Sequence, residues 1–555
     1  MAIESGIHQQ SNAGRINLKG PIGLALSGGG YRAAAFHLGT LDYLDNLGLQ
    51  GQINKISTVS GGTFTGVKYT LSQVTGQHFS EFFLEYYNLL NETDLLQRGL
   101  EKLATGEINA ASGRRNIITA MAQVYAETFL KRTDGTPYLF GDILNGEIAL
   151  GDTVFNATEF RHGLAFRFQR SENPKAIIGN YELRINRDDA EKIRMADIVA
   201  ASSCFPGGFE PFAFPDDFVW PGGQVPEHLR EQFASGPVAL MDGGVYDNQG
   251  LQSLLMADER DPEADELALF IISDVDQKSE DLYPYPVHDN GRSGLTLNAL
   301  AVISVVFIIL LTVSFIMLVG KLLAEGFSWY NFFLIALPAV QVGAAAYGLV
   351  WLRRRIKKAL SQIPMVGRAA WKDIKHLTVD DLEDMISLRI SSLFAMAGSV
   401  FMKRVRSLVY GLIYGDFRKP VRQVLDKLYG SKRVSQLIYH LKTGEKFSAE
   451  LLRAGISEPS EALRRVADTA ADMPTTLWFD KNDQLQSLIA SGQATLCYNL
   501  MKYLVRNYGE NPALFPTEAR QLWDRLEIDW ATFNEAPLCL VEQRLAVAMQ
   551  SETEA

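Results

Sequence analysis

The residue of this 555-residue chain whose setting most clearly predicts chemistry is Ser60. It follows the predicted strand Ile53–Val59 and precedes two glycines. A serine at the sharp turn between a strand and a helix is lifted above the sheet, where its hydroxyl can attack a carbonyl carbon. The usual pattern of such a turn is Gly-x-Ser-x-Gly, and Thr58 stands here in place of the first glycine. The sequence therefore predicts a serine nucleophile.

A second group of residues could serve the same reaction. Gly28, Gly29 and Gly30 follow Ile22–Leu26, a short apolar run that predicts a buried strand. Three consecutive glycines disfavour continuation of a strand or a helix, because ordering glycine costs more backbone conformational entropy than ordering other residues. They do allow backbone N–H groups to converge on one point. Helical periodicity returns after this loop, so the elements around it alternate between strand and helix and indicate an α/β fold.

Four motifs, in this order along the chain, resemble those of patatin-like phospholipases. They are the glycine loop with Arg32, the serine turn at Ser60, the stretch Ala201–Pro206, and Asp242-Gly243-Gly244. The chain departs from the family where Ala33 replaces a glycine after the basic residue. The resemblance is to a bacterial, membrane-anchored member. It implies a three-layer α/β sandwich with a mostly parallel central sheet.

The resemblance also implies the roles of the site residues. Ser60 would be the nucleophile and Asp242 the base of a Ser–Asp dyad without histidine. The backbone amides of Gly28, Gly29 and Gly30 would form the oxyanion hole, in which each donor typically contributes about 3–4 kcal/mol to transition-state stabilisation. Partial burial of Asp242 would raise its basicity.

Other polar residues near these motifs have more than one interpretation. Arg32 could steady the glycine loop or pair with a lipid phosphate, and a surface salt bridge is equally compatible with its position. Ser202 and Ser203 are rival nucleophiles, but no pair of small residues follows them. His37 lies on the helix after the glycine loop, where a packing or surface role is expected. The histidines of this chain occupy no motif suited to a triad.

Composition excludes several classes of function. The 64 acidic and 53 basic residues give a formal net charge of −11, which argues against nucleic acid as a main partner. The three cysteines, Cys204, Cys497 and Cys539, form neither a metal-binding pattern nor a disulfide framework. We therefore expect no metal and no cofactor. The first twenty residues lack the profile of a signal peptide.

Two long uncharged segments, Leu295–Gly320 and Trp329–Leu352, exceed the roughly 20 residues that cross a bilayer. Five cations follow the second segment within Arg353–Lys358, and such a cluster marks the cytoplasmic side. The pattern predicts an integral membrane protein with two spans, with the catalytic domain and both termini in the cytoplasm and a bacterial inner membrane as its location. A buried hairpin of core helices is the alternative.

The predicted organisation has five parts. Residues 1–19 are a polar tail, 20–290 a catalytic domain, 295–352 a transmembrane hairpin, 353–505 a helical region completing the catalytic domain, and 506–555 a C-terminal tail. Within the fourth part, Leu377–Leu412 and Arg418–Leu441 have helical periodicity.

The resulting functional prediction is a serine lipid acyl hydrolase that cleaves fatty-acyl esters of membrane phospholipids or related lipids at the cytoplasmic face. The bilayer and its lipids are the expected partners, and the sequence identifies no protein partner. A catalytically silent scaffold or lipid-binding protein of the same fold is the alternative. A nucleotide-binding loop would need a Walker lysine or a G-x-G-x-x-G spacing, and the chain has neither after Ser27–Gly30. The residues do not distinguish a housekeeping lipase from a membrane-damaging effector.

Overall fold

A computed structural model describes residue 18, residues 20–260, 267–276, 296–330, isolated residues between 332 and 404, 431–481 and 483–554. The chain divides into two compact units. The first comprises residues 1–282 and 396–555, and the second comprises residues 283–395.

The first unit contains a mixed sheet of eight described strands in the order β5-β6-β3-β2-β1-β7-β8, with β4 paired to β3. The strands are β1 (Ile22–Leu26), β2 (Ile53–Val59), β3 (Asp152–Glu159), β4 (Leu164–Ser171), β5 (Phe212–Phe214), β6 (Val238–Asp242), β7 (Leu269–Asp274) and β8 (Arg433–Leu437). Four pairings are parallel and three are antiparallel. The α/β class is thus confirmed, whereas the expectation of a mostly parallel sheet gives way to a mixed one.

The centre of the sheet places two chemical motifs side by side. β1 and β2 have the predicted bounds, and they are parallel neighbours with Leu26 opposite Thr58. Every residue of β1 is buried. Because the carboxyl ends of parallel strands meet at one edge of a sheet, the glycine loop and Ser60 emerge next to each other.

The helices of the first unit surround this sheet in sequence order. Before β7 they are α1 (Gly30–Asn46), α2 (Gly61–Val74), α3 (Phe79–Glu92), α4 (Leu95–Thr105), α5 (Ile117–Thr128), α6 (Phe140–Leu144), α7 (Arg187–Ala190), α8 (Met195–Ser203), α9 (Glu227–Gln232), α10 (Gly244–Asp247) and α11 (Leu251–Glu259).

The C-terminal part of the first unit differs from two expectations. Within Arg418–Leu441, predicted as helix, Arg433–Leu437 forms β8 beside β7, because parallel pairing and burial of Val434 outweigh the local periodicity. Residues 506–555, expected as a loose helical tail, do include a helix, but its Trp523 and Trp530 side chains are packed in the core. The helices here are α13 (Ala449–Arg453), α14 (Glu461–Asp472), α15 (Gln484–Tyr508), α16 (Thr517–Glu535) and α17 (Cys539–Glu554).

Close contact between helices α1 and α15 explains two glycines of the core. A Cβ at Gly39 would lie 2.0 Å from the carbonyl oxygen of Ile489, and one at Gly492 would lie 2.2 Å from that of Phe36. Real Cβ atoms do not approach backbone this closely, so only glycine permits the crossing. The crossing fixes α15 against the helix that begins at the glycine loop.

The second unit contains α12 (Leu297–Glu325), which begins with the Thr296 hydroxyl accepting the Ala299 amide at 3.1 Å. Its segment Val305–Glu325 is long and apolar enough to cross a membrane, with a mean hydropathy of 2.6. The helix continues beyond Gly320, where the first span was expected to end. The second predicted span, 329–352, lies largely outside the described residues, so the two-span hairpin stays a prediction.

Candidate active site

Ser60 occupies a strained turn between β2 and α2. Its backbone has φ 51° and ψ −120°, and it is the one non-glycine residue with positive φ among those that the structure describes. Such a conformation costs on the order of 1–3 kcal/mol and persists only where the surroundings enforce it. Ser60 is 7% exposed. Ser60 thus lies at the strand-to-helix turn that the sequence predicts, and its role as nucleophile stays a prediction.

The two glycines after Ser60 allow the backbone of the glycine loop to approach. A Cβ at Gly61 would lie 2.2 Å from the carbonyl oxygen of Gly30, and one at Gly62 would lie 2.5 Å from that of Leu26. No side chain fits in either place. The glycine loop and the serine turn are therefore held in direct backbone contact.

Asp242 ends β6 and meets Ser60 in the interior of the first unit. The Ser60 side chain lies close enough to its carboxyl group to lower its pKa, and the amide of Gly244 donates to its Oδ1 at 2.7 Å. Asp242 is 2% exposed. Burial raises the pKa of Asp242 to about 6, while the Ser60 side chain and the Gly244 amide act in the opposite direction. Asp242 is thus a stronger base than an exposed aspartate.

Two of the three amides of the glycine loop have no hydrogen-bond partner in the described part of the chain. The amide of Gly28 donates to the carbonyl oxygen of Asn248 at 2.9 Å, so it is not available to a substrate oxygen. The amides of Gly29 and Gly30 form no hydrogen bond within the described part of the chain. Both residues have positive φ, 148° and 60°, which favours glycine. The hydrogen bond of Gly28 counts against its expected role, and the oxyanion-hole role of Gly29 and Gly30 stays a prediction.

Arg32 supports the loop from inside the protein. It is 6% exposed, and its guanidinium donates to the carbonyl oxygen of Met473 at 2.8 Å and to the hydroxyl of Thr475 at 3.2 Å. The adjacent amide of Tyr31 donates to the carbonyl oxygen of Thr476 at 2.9 Å. This burial favours support of the loop over contact with a lipid phosphate. Arg32 joins the start of α1 to a segment more than 400 residues later.

His37 is buried against the start of the same loop. Its Nε2 lies 2.9 Å from the carbonyl oxygen of Ser27, and its Nδ1 lies 2.9 Å from the hydroxyl of Ser273. A carbonyl only accepts, so Nε2 carries the proton and Nδ1 accepts from Ser273. Burial lowers the pKa of His37 to about 4. The imidazole is thus neutral and engaged in supporting the loop, which matches the expected packing role.

The rival serines are engaged elsewhere. The Ser202 hydroxyl donates to the carbonyl oxygen of Asn156 at 2.7 Å, and the Ser203 hydroxyl donates to that of Val199 at 2.7 Å. Ser202 also accepts the amide of Ser60 at 3.0 Å. Sequence reasoning did not predict a supporting role for Ser202, although its motif lies between Ser60 and Asp242 along the chain.

A metal site is not evident in this region. Within the residues that the structure describes, no group of three or more His, Cys, Asp or Glu side chains has an arrangement that could hold a metal ion. Asp242 instead accepts the Gly244 amide and lies near the Ser60 side chain. The site as described is built from hydroxyl, carboxyl and backbone amide groups.

Comparison with known proteins gives one family. Residues 24–255 match the family model of the patatin-like phospholipases. No curated protein sequence matches the chain. Among solved structures, human GIVD cytosolic phospholipase A2 is similar over 46% of this chain and 42% of its own, at 14% identity and a TM-score of 0.28.

A second solved structure, VipD from Legionella pneumophila, is similar over 93% of this chain and 91% of its own, at 12% identity and a TM-score of 0.21. Because both TM-scores are below 0.5, the functional proposal rests on neither structure. The chain spans less than half of the human protein. Residues 24–255, which carry the glycine loop, Ser60 and Asp242, therefore match the patatin-like phospholipase family.

Proposed function

We propose that this protein is a serine lipid acyl hydrolase whose Ser–Asp dyad consists of Ser60 and Asp242. The observation that carries the proposal is the proximity of the Ser60 side chain to the buried Asp242 carboxyl group, on which it acts electrostatically. A free hydroxyl is a weak nucleophile and needs an adjacent base. The strained turn at Ser60 and the family match of residues 24–255 support the same chemistry.

The first half of the reaction forms an acyl-enzyme. The Asp242 carboxylate takes the Ser60 hydroxyl proton while Oγ bonds to the ester carbonyl carbon, and the carbonyl electron pair moves to its oxygen. The amides of Gly29 and Gly30 donate to this oxyanion. When the intermediate collapses, the ester C–O bond breaks, and the proton on Asp242 passes to the leaving alcohol.

The second half returns the enzyme to its starting state. Asp242 takes a proton from water as the water oxygen bonds to the acyl carbon of acyl-Ser60. Collapse of the second oxyanion breaks the bond to Oγ, and the proton on Asp242 returns to the serine. The products are a fatty acid and the deacylated lipid, so one water is consumed for each ester cleaved.

We also propose that the chain is anchored by two spans, 295–320 and 329–352, with the catalytic residues at the cytoplasmic leaflet. The apolar helix segment Val305–Glu325 supports the first span, and the uncharged sequence followed by Arg353–Lys358 supports the second. A cysteine-accessibility scan tests this topology. Labels outside the cell should reach residues 324–328 and not Ser361; the reverse pattern contradicts the proposal.

Phospholipid turnover tests the proposed chemistry. Purified wild-type protein should release labelled fatty acid from phospholipid in mixed micelles, whereas Ser60→Ala and Asp242→Asn should reduce release to background. Ser80→Ala and Asp134→Asn are matched controls, because both residues are exposed and remote in sequence from the motifs. A wild-type protein that binds lipid without turnover would instead identify a silent scaffold.

A further inference from the structure

A buried hydroxyl touches the backbone of the proposed nucleophile. Ser202, near the end of α8, is fully buried. Its Oγ lies 3.0 Å from the Ser60 amide nitrogen, 2.7 Å from the carbonyl oxygen of Asn156 and 2.8 Å from the hydroxyl of Thr63. A hydroxyl has one proton to donate and two lone pairs to accept with, so three contacts use its full capacity.

The direction of each hydrogen bond follows from counting protons. The carbonyl oxygen of Asn156 only accepts, so it receives the Ser202 proton. Ser202 therefore accepts from the Ser60 amide and from the Thr63 hydroxyl. Thr63, having donated its proton, accepts from the hydroxyl of Thr58, which lies 3.0 Å away. The chain of donors runs from Thr58 through Thr63 and Ser202 to Asn156.

The first member of this chain is the residue that departs from the Gly-x-Ser-x-Gly pattern. Thr58 brings a side chain to a place where glycine is usual, and Gly66 on α2 makes room for it. A Cβ at Gly66 would lie 2.4 Å from Cγ2 of Thr58. The departure thus adds a hydroxyl donor beneath the turn, and the facing helix accommodates it.

The backbone around Ser202 also contacts the segment of Asp242, the residue proposed as base. The carbonyl oxygen of Ser202 accepts the Gly243 amide at 3.2 Å, and that of Cys204 accepts the Asp242 amide at 3.1 Å. Ser202 therefore contacts the Ser60 segment through its side chain and the Asp242 segment through its backbone.

We infer that Thr58, Thr63 and Ser202 are positioning residues, whose aligned hydroxyls hold the amide of Ser60 and so set its separation from Asp242. The inference rests on the proposed function. The strained backbone of Ser60 needs contacts that enforce it, and the Ser202 hydroxyl provides one at the strained residue itself. Thr63 and Thr58 act through Ser202, because neither is hydrogen-bonded to Ser60 by its side chain in the described network.

The test compares variants with the wild-type protein in two measurements. One is the rate at which a fluorophosphonate probe labels Ser60, and the other is kcat and KM on a short-chain ester. Ser202→Ala should lower the labelling rate and kcat together by about 10- to 100-fold with KM unchanged, because small misplacement of reacting groups has effects of this size. Thr63→Val should have a smaller effect, and Thr58→Val the smallest. Ser203→Ala is the matched control, since its hydroxyl bonds within α8, and it should stay within about twofold of wild type.

Non-additivity separates positioning from general loss of structure. Ser202→Ala combined with Thr63→Val should be no slower than Ser202→Ala alone, because Thr63 acts through the hydroxyl already removed. Wild-type labelling rates in folded Ser202→Ala and Thr63→Val would overturn the inference while leaving the proposed function intact. If Ser202→Ala does not fold, a wild-type rate in Thr63→Val is sufficient to overturn it. Failure of the wild-type protein itself to label would count against the proposed function instead.

Discussion

The ionisation of Asp242 gives the proposed hydrolysis a specific pH dependence. The pKa of this carboxyl group is raised to about 6 by burial, and only its deprotonated form can take the Ser60 proton. The deprotonated fraction then rises from about one-tenth at pH 5 to about nine-tenths at pH 7, so kcat/KM should increase about tenfold over this interval. An aspartate with its ordinary pKa would give almost no change there.

The two titratable groups that interact electrostatically with Asp242, Tyr125 and Cys204, do not change charge in this interval. Tyr125 on α5 and Cys204 after α8 both interact electrostatically with Asp242, and burial raises the pKa of each well above neutrality. His37 supports the glycine loop, and its pKa is lowered to about 4, so it is neutral from pH 5 upwards. The change between pH 5 and pH 7 therefore reports Asp242.

The assay is kcat/KM on a soluble short-chain ester, measured at constant ionic strength across this interval. A soluble substrate avoids pH effects on the lipid surface. The fluorophosphonate labelling rate should follow the same curve, because attack on the probe also needs the Asp242 carboxylate to take the Ser60 proton. A flat profile between pH 5 and pH 7, or an inflection near pH 4, would refute the assignment of Asp242 as a buried base.

Three further predictions concern the loop, the core and metal ions. Gly61→Ala should abolish probe labelling, because its Cβ would lie 2.2 Å from the carbonyl oxygen of Gly30. Gly51→Ala is the control and should label normally, because a Cβ there would lie in open space. Equal labelling of the two variants would contradict the proposed contact between Gly61 and Gly30. Arg544→Met should destabilise the protein at pH 8 by about 3–5 kcal/mol, because it leaves the carboxylate of buried Asp42 without the guanidinium 2.7 Å away. The pKa of Asp42 is already raised to about 6 by burial, and it rises further without Arg544. Protonation of Asp42 at pH 5 should therefore make the loss of stability smaller than at pH 8. An equal loss of stability at both pH values, measured by denaturation curves, would exclude the unpaired Asp42 carboxylate as the cause. Chelators should leave phospholipid hydrolysis unchanged, and a loss restored by a divalent cation would show a metal requirement.

The sequence predicts those parts of the site that lie within short continuous segments of the chain. β1 and β2 have their predicted bounds because each is a buried strand that ends at glycine-rich sequence. The juxtaposition of Ser60 and Asp242 was expected from the order of the motifs, and the two side chains do meet. Their catalytic roles stay a proposal.

What the sequence could not predict depends on contacts between distant segments. The Gly28 amide is used by the carbonyl group of Asn248, which only the folded loop brings near. Arg32 is buried because residues 473–476 cover it. Local periodicity around Arg433–Leu437 favours a helix, yet β7 offers a parallel edge that makes it a strand. In each case a partner remote in sequence decides the outcome.

Identification of the modified residue tests the central claim most directly. The wild-type protein is treated with a fluorophosphonate, digested, and the adduct located by peptide mass spectrometry. The account predicts one adduct, on Ser60, which is absent from Ser60→Ala and strongly reduced in Asp242→Asn. An adduct on Ser202 or Ser203, or undiminished labelling of Ser60→Ala, would contradict it.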